Sequence, residues 1–279
     1  MGKRIPSCCR LVLPFVLTLL LLLLVLAPDV RVAHAQGLKL VGPKKYYLVL
    51  GNSLAFGFQP DLDFTHGYSD YFFQDLKAHG TTNMVNLACP GETSVTFLNG
   101  KCPYPFLRKY PYLGSQLNAA LNFLRAHPGQ VSPVTLDIGA NDVLPYLNSQ
   151  TCAIDTTGSA SALQTLDYNL RQVILPQLRA ALTVNGQVTG DLLVMNYYDP
   201  YQNICPNTVP YSQQINEHLA SDVQGFGVLV DVFSAFGGAA VPNNNICSYT
   251  WMCSVFHDIH ATDKGYQVIA QAFEQTAGY

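Results

Sequence analysis

Residues 46–54 read YYLVLGNSL, an apolar run that ends in a glycine and then in a serine. Residues 46–50 favour a β-strand because they are apolar or aromatic and include a β-branched valine. Gly51 permits a sharp turn, which would expose Ser53 at the carboxyl end of that strand. Ligands of open α/β sheets bind at this edge. The stretch therefore predicts a buried strand that presents a serine at a ligand site.

The rest of the chain alternates short apolar runs with segments of helical period. This alternation predicts a parallel sheet covered by helices on both faces. The predicted strands are 46–50, 84–87, 134–138, 192–196 and 228–232. The predicted helices are 68–79, 115–126, 163–182, 211–222 and 263–277, with a kink or split at Pro176 and an N-cap at Thr262. Residues 89–114 and 233–257 are predicted to be long irregular loops that shape a cleft.

The first 35 residues have the pattern of a secretory signal peptide. Basic residues precede the apolar run 11–26, and an A-x-A-like cleavage site ends at Ala35. An uncleaved membrane anchor is the alternative, but the run is shorter than the ~20 residues that span a bilayer and contains Pro14. Cleavage would leave residues 36–279, a length typical of one α/β domain. We therefore expect a secreted single-domain protein without stable membrane association.

The formal net charge of the 279-residue chain is −3 at pH 7. Several of its basic residues lie in the predicted signal peptide, so the mature chain is more acidic. A net negative charge attracts neither nucleic acid nor an anionic membrane surface. We expect no nucleic-acid partner.

The mature chain would keep six cysteines, which in an exported protein indicate three disulfides. The sequential pairing closes the shortest loops, and it joins Cys89 to Cys102, Cys152 to Cys205, and Cys247 to Cys253. Metal binding is the competing interpretation. No cysteine pair has the C-x-x-C spacing of a zinc site, and the histidines are not interleaved at ligand distances, so we expect no metal.

Two more predicted strands end in glycine-containing turns, with the sequences NLACPGET at 86–93 and DIGAND at 137–142. A tetrahedral intermediate needs hydrogen-bond donors aimed at its developing oxyanion. The main-chain N–H groups of Ser53 and Gly91 and the carboxamide of Asn141 are suitable donors. Taken singly, Gly91 is more simply interpreted as an ordinary turn glycine, and Asn141 with Asp142 as a helix-capping pair.

Taken together and in this order, these blocks resemble those of the SGNH hydrolases, also called GDSL esterases and lipases. The matching positions are GNSL at 51–54, Gly91, GAND at 139–142 and His260, and YYDP at 197–200 is also similar. The resemblance covers essentially the whole mature chain. It implies a flavodoxin-like three-layer α/β/α domain with a five-stranded parallel sheet, and no metal or other cofactor.

The same resemblance implies hydrolysis of acyl esters through a seryl intermediate. Ser53 would be the nucleophile and His260 its general base. Ser53, Gly91 and Asn141 would form the oxyanion hole. We expect a monomer that acts on a small or polymer-linked ester.

Two positions depart from the family pattern. Asn52 replaces an aspartate, and we interpret it as an uncharged turn cap that leaves the chemistry unchanged. The aspartate of the triad usually lies three residues before the histidine, where this chain has His257. Asp258 or the main-chain carbonyl of His257 would then orient His260, and the strand-like alternation of 258 and 260 modestly favours Asp258. We interpret the His257 side chain as structural.

These departures leave open a second function from another class. A catalytically impaired secreted protein would use its aromatic loops to bind carbohydrate or a surface polymer. Its candidate stacking residues are Tyr104, Phe106, Tyr110, Tyr112 and Trp251.

Overall fold

A parallel sheet of five strands lies at the centre of the computed structural model. The structure describes residue 2 and residues 39–279, so the predicted signal peptide lies outside it apart from Gly2. The spatial order of the strands is β2-β1-β3-β4-β5. Their bounds are β1 Tyr46–Gly51, β2 Asn83–Asn86, β3 Val131–Asp137, β4 Leu192–Met195 and β5 Val228–Val230.

The predicted strands therefore all form, in one sheet. Every residue of β3 and β4 is buried, as expected of strands that helices cover on both faces. Because all five strands are parallel, their carboxyl ends meet at one edge. The turns that follow β1, β2 and β3 hold Ser53, Gly91 and Asn141, so this edge carries the candidate site.

Helices form the two outer layers. Tyr68–Ala78 packs on Asp263–Ala277, where the rings of Tyr68 and Phe273 stack at 5.0 Å. Gln116–Ala126 packs on Leu175–Ala181, and Thr156–Tyr168 packs on Thr208–Val223. Helices α1 to α6 are Ser53–Phe56, Tyr68–Ala78, Ser94–Asn99, Gln116–Ala126, Ala140–Val143 and Thr156–Tyr168. Helices α7 to α11 are Leu175–Ala181, Thr208–Val223, Val232–Ala235, Asn244–Tyr249 and Asp263–Ala277. Thr262 caps α11, as the sequence predicts, by accepting a hydrogen bond from the main-chain N–H of Gly265.

The predicted helix 163–182 differs from the structure at both its start and its centre. It begins earlier, at α6, where the Asp155 side chain caps the helix. A π-helical segment, Asn169–Ile174, then joins α6 to α7. Pro176 lies in the first turn of α7, directly after this π-helical segment. A π-turn therefore interrupts the α-helix where the sequence predicts a kink or split.

The two loops predicted to be irregular contain short helices. Residues 89–114 include α3 and the 3₁₀ turn Pro105–Leu107, and residues 233–257 include α10 and the 3₁₀ turn Trp251–Cys253. Disulfides join Cys89 to Cys102, Cys152 to Cys205, and Cys247 to Cys253. Across the described residues, no helix is both long and apolar enough to span a membrane.

Candidate active site

The turn between β1 and α1 presents Ser53. Gly51 has φ +135°, and a side chain there would collide with Asp137 of β3. Only glycine therefore fits at this position. Asn52 caps α1: its Oδ1 accepts from the main-chain N–H of Leu54 at 3.0 Å, and its Nδ2 donates to the Tyr197 hydroxyl at 3.2 Å.

His260 reaches this turn from the loop before α11. Its Nε2 lies 2.8 Å from Ser53 Oγ, and its Nδ1 lies 2.6 Å from Asp258 Oδ1. The ring of Phe58 lies beside the imidazole, with 4.7 Å between ring centroids. The His260 main chain is also fixed, because its carbonyl accepts from the Trp251 N–H at 3.0 Å. A serine, a histidine and an aspartate thus form one chain of hydrogen bonds.

The local backbone explains how an aspartate two residues before the histidine reaches its ring. His257 has φ +46°, a left-handed conformation that redirects the chain just before Asp258. Asp258 Oδ1 also accepts from the main-chain N–H of His260 at 2.8 Å. The acceptor at His260 Nδ1 is therefore the Asp258 carboxylate, and the His257 ring lies 3.3 Å from the Met252 carbonyl.

The Asp258 carboxylate is held in its charged form. Partial burial alone would raise its pKa, but the hydrogen bond to the His260 ring, the charge attraction to that ring and the hydrogen bond from the His260 main-chain N–H together outweigh burial and keep the pKa below its ordinary value. A charged acceptor at Nδ1 fixes the ring tautomer whose Nε2 faces Ser53 with a lone pair. The arrangement can accept the proton of the serine hydroxyl.

The three candidate oxyanion donors meet at the same edge of the sheet. Gly91 has φ +79°, and its Cα lies against Pro103 and Tyr104, so a side chain there would crowd both. Asn141 Nδ2 donates one hydrogen to the Glu92 carbonyl at 3.0 Å. A carboxamide has two N–H hydrogens, and the second is left for a ligand. Neither the Ser53 nor the Gly91 N–H has an acceptor within the described part of the chain.

A small cavity of about 80 Å³ opens between Ser53, Asn141 and His260. Its walls are mainly apolar and aromatic. They include Val143, Leu144, Leu147, Tyr197, Tyr198, Tyr201, Tyr211, Ile215 and Ile259. The cavity can hold an apolar group of a few carbon atoms beside the serine hydroxyl, since an apolar cavity of about 150 Å³ binds benzene.

Asp137 contacts the turn that presents Ser53 and was not predicted from the sequence to have a role. Its Oδ1 accepts from the Asn52 N–H at 2.8 Å, and the side chain is fully buried. Burial raises the pKa of this carboxyl well above its ordinary value, because the charged form loses its hydration. An acidic residue at the end of an otherwise uncharged strand was the available signal.

The five aromatic residues that were candidates for the alternative binding function differ in their exposure and contacts. Tyr104, Phe106 and Tyr110 are largely exposed, whereas Trp251 is partly buried and donates from its indole N–H to Gln59 at 3.2 Å. Tyr112 packs under the Arg108 guanidinium, 3.9 Å from the ring centroid. The rings of Tyr104 and Phe106 also contact each other edge to face, with 6.2 Å between their centroids.

Within residues 39–279, Cys89, Glu92 and Cys102 lie close enough together to share a metal ion. Both sulfurs, however, belong to one disulfide. They therefore lack the thiolates that a metal would bind.

A three-layer α/β/α fold with a serine, a histidine and three clustered donors at one sheet edge defines a hydrolase of the SGNH type. Residues 49–268 match the family model of the GDSL-like lipases and acylhydrolases, and the chain belongs to this family. A search of curated proteins finds no match.

Solved structures of similar fold include several esterases. The acetylxylan esterase Axe2 from Geobacillus stearothermophilus is 16% identical with a TM-score of 0.57, and the match covers 86% of this chain and 97% of that one. A lipase from a goat rumen metagenome is also 16% identical, with a TM-score of 0.59 and coverage of 84% and 97%. A carbohydrate acetylesterase from Sinorhizobium meliloti is 10% identical with a TM-score of 0.51, covering 85% and 100%. At these identities the likeness establishes the fold.

Proposed function

We propose that this protein is a serine esterase that hydrolyses carboxylic esters through a seryl-acyl intermediate. The observation that carries the proposal is the continuous hydrogen-bonded chain from Asp258 through His260 to Ser53. Membership of an acylhydrolase family gives the reaction class. The catalytic roles rest on the geometry.

In the first half-reaction, Ser53 Oγ attacks the ester carbonyl carbon while its proton passes to His260 Nε2. The carbonyl oxygen becomes an oxyanion, which accepts hydrogen bonds from the N–H groups of Ser53 and Gly91 and from Asn141 Nδ2. When the intermediate collapses, the bond to the alcohol oxygen breaks, and His260 returns the proton to the leaving alkoxide.

In the second half-reaction, water takes the place of the alcohol. His260 Nε2 removes a proton from water as the remaining hydroxide adds to the acyl carbon. The Ser53 ester bond then breaks, and the serine oxygen regains its proton from His260. Asp258 remains ionised throughout and stabilises the imidazolium that forms in each half.

We propose short acyl groups as substrates. The apolar cavity beside Ser53 has about 80 Å³, which suits an acetyl to butyryl chain. The alcohol would lie on the open side, near the exposed loop that holds Tyr104.

The test is hydrolysis of 4-nitrophenyl acetate, butyrate and octanoate by the wild type and by Ser53→Ala. We expect the acetate and butyrate to be the better substrates and the variant to lose ~10³-fold or more in kcat. Equal turnover by the two proteins would contradict the proposal. The continuation of the Asp258–His260 contact to Ser53 Oγ also favours catalysis over the binding-only alternative.

We also propose that residues 1–35 are a signal peptide and that 36–279 form a single secreted domain. The three disulfides support an oxidising compartment. Export of the full chain by a secreting host should give a protein whose N-terminus is Gln36. A retained N-terminus on a membrane-bound product would contradict this.

A further inference from the structure

The buried side chain of Gln116 links the nucleophile turn to the Gly91 turn. Gln116 is the first residue of α4 and is 1% exposed. Its Oε1 accepts from the Gly51 N–H at 2.6 Å, and its Nε2 donates to the Gly51 carbonyl at 2.9 Å. The same Nε2 donates to Glu92 Oε2 at 2.9 Å. Both amide hydrogens and the amide oxygen are therefore used, and two of these bonds clamp the residue just before Asn52 and Ser53.

Glu92 continues this link to the third turn. Its side chain accepts from Gln116, and its own main-chain carbonyl accepts from Asn141 Nδ2 at 3.0 Å. It also follows Gly91 directly in the chain. A path of hydrogen bonds thus runs from Gly51, two residues before Ser53, through Gln116 and Glu92 to Asn141. It also includes the residue next to Gly91 and the side chain of Asn141.

Burying the polar side chains of this path costs free energy of folding. Glu92 is 1% exposed, and burial raises the pKa of its carboxyl. A buried polar pair of this kind can be replaced by apolar side chains of the same volume with little loss of stability, or with a gain. Stability alone therefore does not account for a glutamine and a glutamate at these two positions.

We propose that Gln116 and Glu92 are positioning residues that hold the Ser53, Gly91 and Asn141 donors at the spacing of one oxyanion. The three donors follow three different strands, so their relative placement depends on contacts between the turns. The inference rests on the proposed function, because it assigns a role within the same reaction. Neither side chain touches the substrate.

The first test is Gln116→Met, which keeps the length of the side chain and removes all three hydrogen bonds. Since a displacement of about 1 Å at a reacting centre costs on the order of 100-fold, we expect kcat for 4-nitrophenyl acetate to fall by ~10- to 100-fold. KM should stay within about threefold, because the donors act on the transition state and not on the bound ester.

A second pair of variants probes the same link from the other side and does not depend on the folding of Gln116→Met. Glu92→Gln keeps a side-chain oxygen for Gln116 Nε2 and should retain kcat within about threefold. Glu92→Leu removes the acceptor and should lower kcat at least ~10-fold. If Glu92 served stability alone, its variants would lower the melting temperature, and kcat would not differ between Glu92→Gln and Glu92→Leu.

Gln202→Met is the matched control. Gln202 is also 1% exposed, and its Nε2 donates to the carbonyls of Gly238 and Ala240 at 3.1 and 2.5 Å, neither of which carries a proposed donor. This variant should lose stability and keep kcat. If Gln116→Met or Glu92→Leu behaves like Gln202→Met, the positioning role is overturned. If the wild type hydrolyses the ester no faster than Ser53→Ala, the proposed function itself fails, and the positioning role fails with it.

Discussion

Replacing Asp258 with Asn changes the charge beside His260 and leaves the shape almost unaltered. A single oxygen, Asp258 Oδ1, accepts from both the ring Nδ1 and the main-chain N–H of His260. The main-chain N–H can only donate, so it holds the amide oxygen of the variant in the same place. The ring then keeps the tautomer whose Nε2 faces Ser53. We therefore expect a smaller loss than the ~10⁴-fold seen when an amide enforces the wrong tautomer in a serine protease.

The magnitude follows from the lost attraction between carboxylate and imidazolium. Two unit charges about 4 Å apart interact by about 4 kcal/mol at an effective dielectric constant of about 20. Both side chains are partly exposed, 26% for Asp258 and 15% for His260, so water screens some of this energy. About 2–3 kcal/mol remains, which corresponds to a loss of ~100-fold in kcat. Asp258→Ala also removes the acceptor, and we expect it to lose ~10³- to 10⁴-fold.

The assay is the initial rate of 4-nitrophenyl acetate hydrolysis at saturation, with Ser53→Ala as the background. The matched control is Asp167→Asn, because Asp167 makes a similar contact with His218 Nδ1, at 2.9 Å, outside the candidate site. The control should keep kcat within about twofold. If Asp258→Asn keeps kcat as well, the Asp258 charge does not stabilise the imidazolium, and the reasoning is refuted.

Three further outcomes are expected. Asn52→Asp should change kcat less than tenfold, because either side chain offers an oxygen to the Leu54 N–H; a gain of ~100-fold would show that Asn52 impairs the enzyme. Asp137→Asn should raise the melting temperature more at pH 7 than at pH 4. Burial raises the pKa of Asp137 in the folded state. The contribution of its protonated carboxyl to the free energy of unfolding is therefore complete below the unfolded pKa of ~3.9 and declines as pH rises. An equal shift in melting temperature at both pH values would contradict this. Leu144→Ala should widen the cavity and improve hexanoate hydrolysis relative to acetate at least ~5-fold, and an unchanged ratio would move the acyl site elsewhere.

The sheet was predictable because its strands are short apolar runs buried on both faces. Residues 46–50 and 192–196 have this pattern, and both form strands with bounds shifted by one residue at most. The helix around Pro176 was harder to predict. Sequence shows that a proline interrupts the helical period, but whether the helix forms a π-turn before it depends on packing against neighbouring helices.

The contacts around His260 could also be predicted only in part from the sequence. The sequence left Asp258 and the His257 carbonyl as alternative acceptors, because the spacing differs from the family pattern. The positive φ of His257 decides which of them reaches the ring, and no local residue signal specifies that value in a histidine. Gln116 was not predicted at all, since its partner Gly51 lies 65 residues away along the chain.

The most direct test of the central claim is the intact mass of the oxidised mature protein before and after incubation with a fluorophosphonate. An activated serine attacks this reagent, whereas ordinary serines do not. We predict one adduct on the wild type and none on Ser53→Ala. A folded protein with all three disulfides that gains no adduct, or an adduct that persists in Ser53→Ala, would contradict the assignment of Ser53 as the nucleophile.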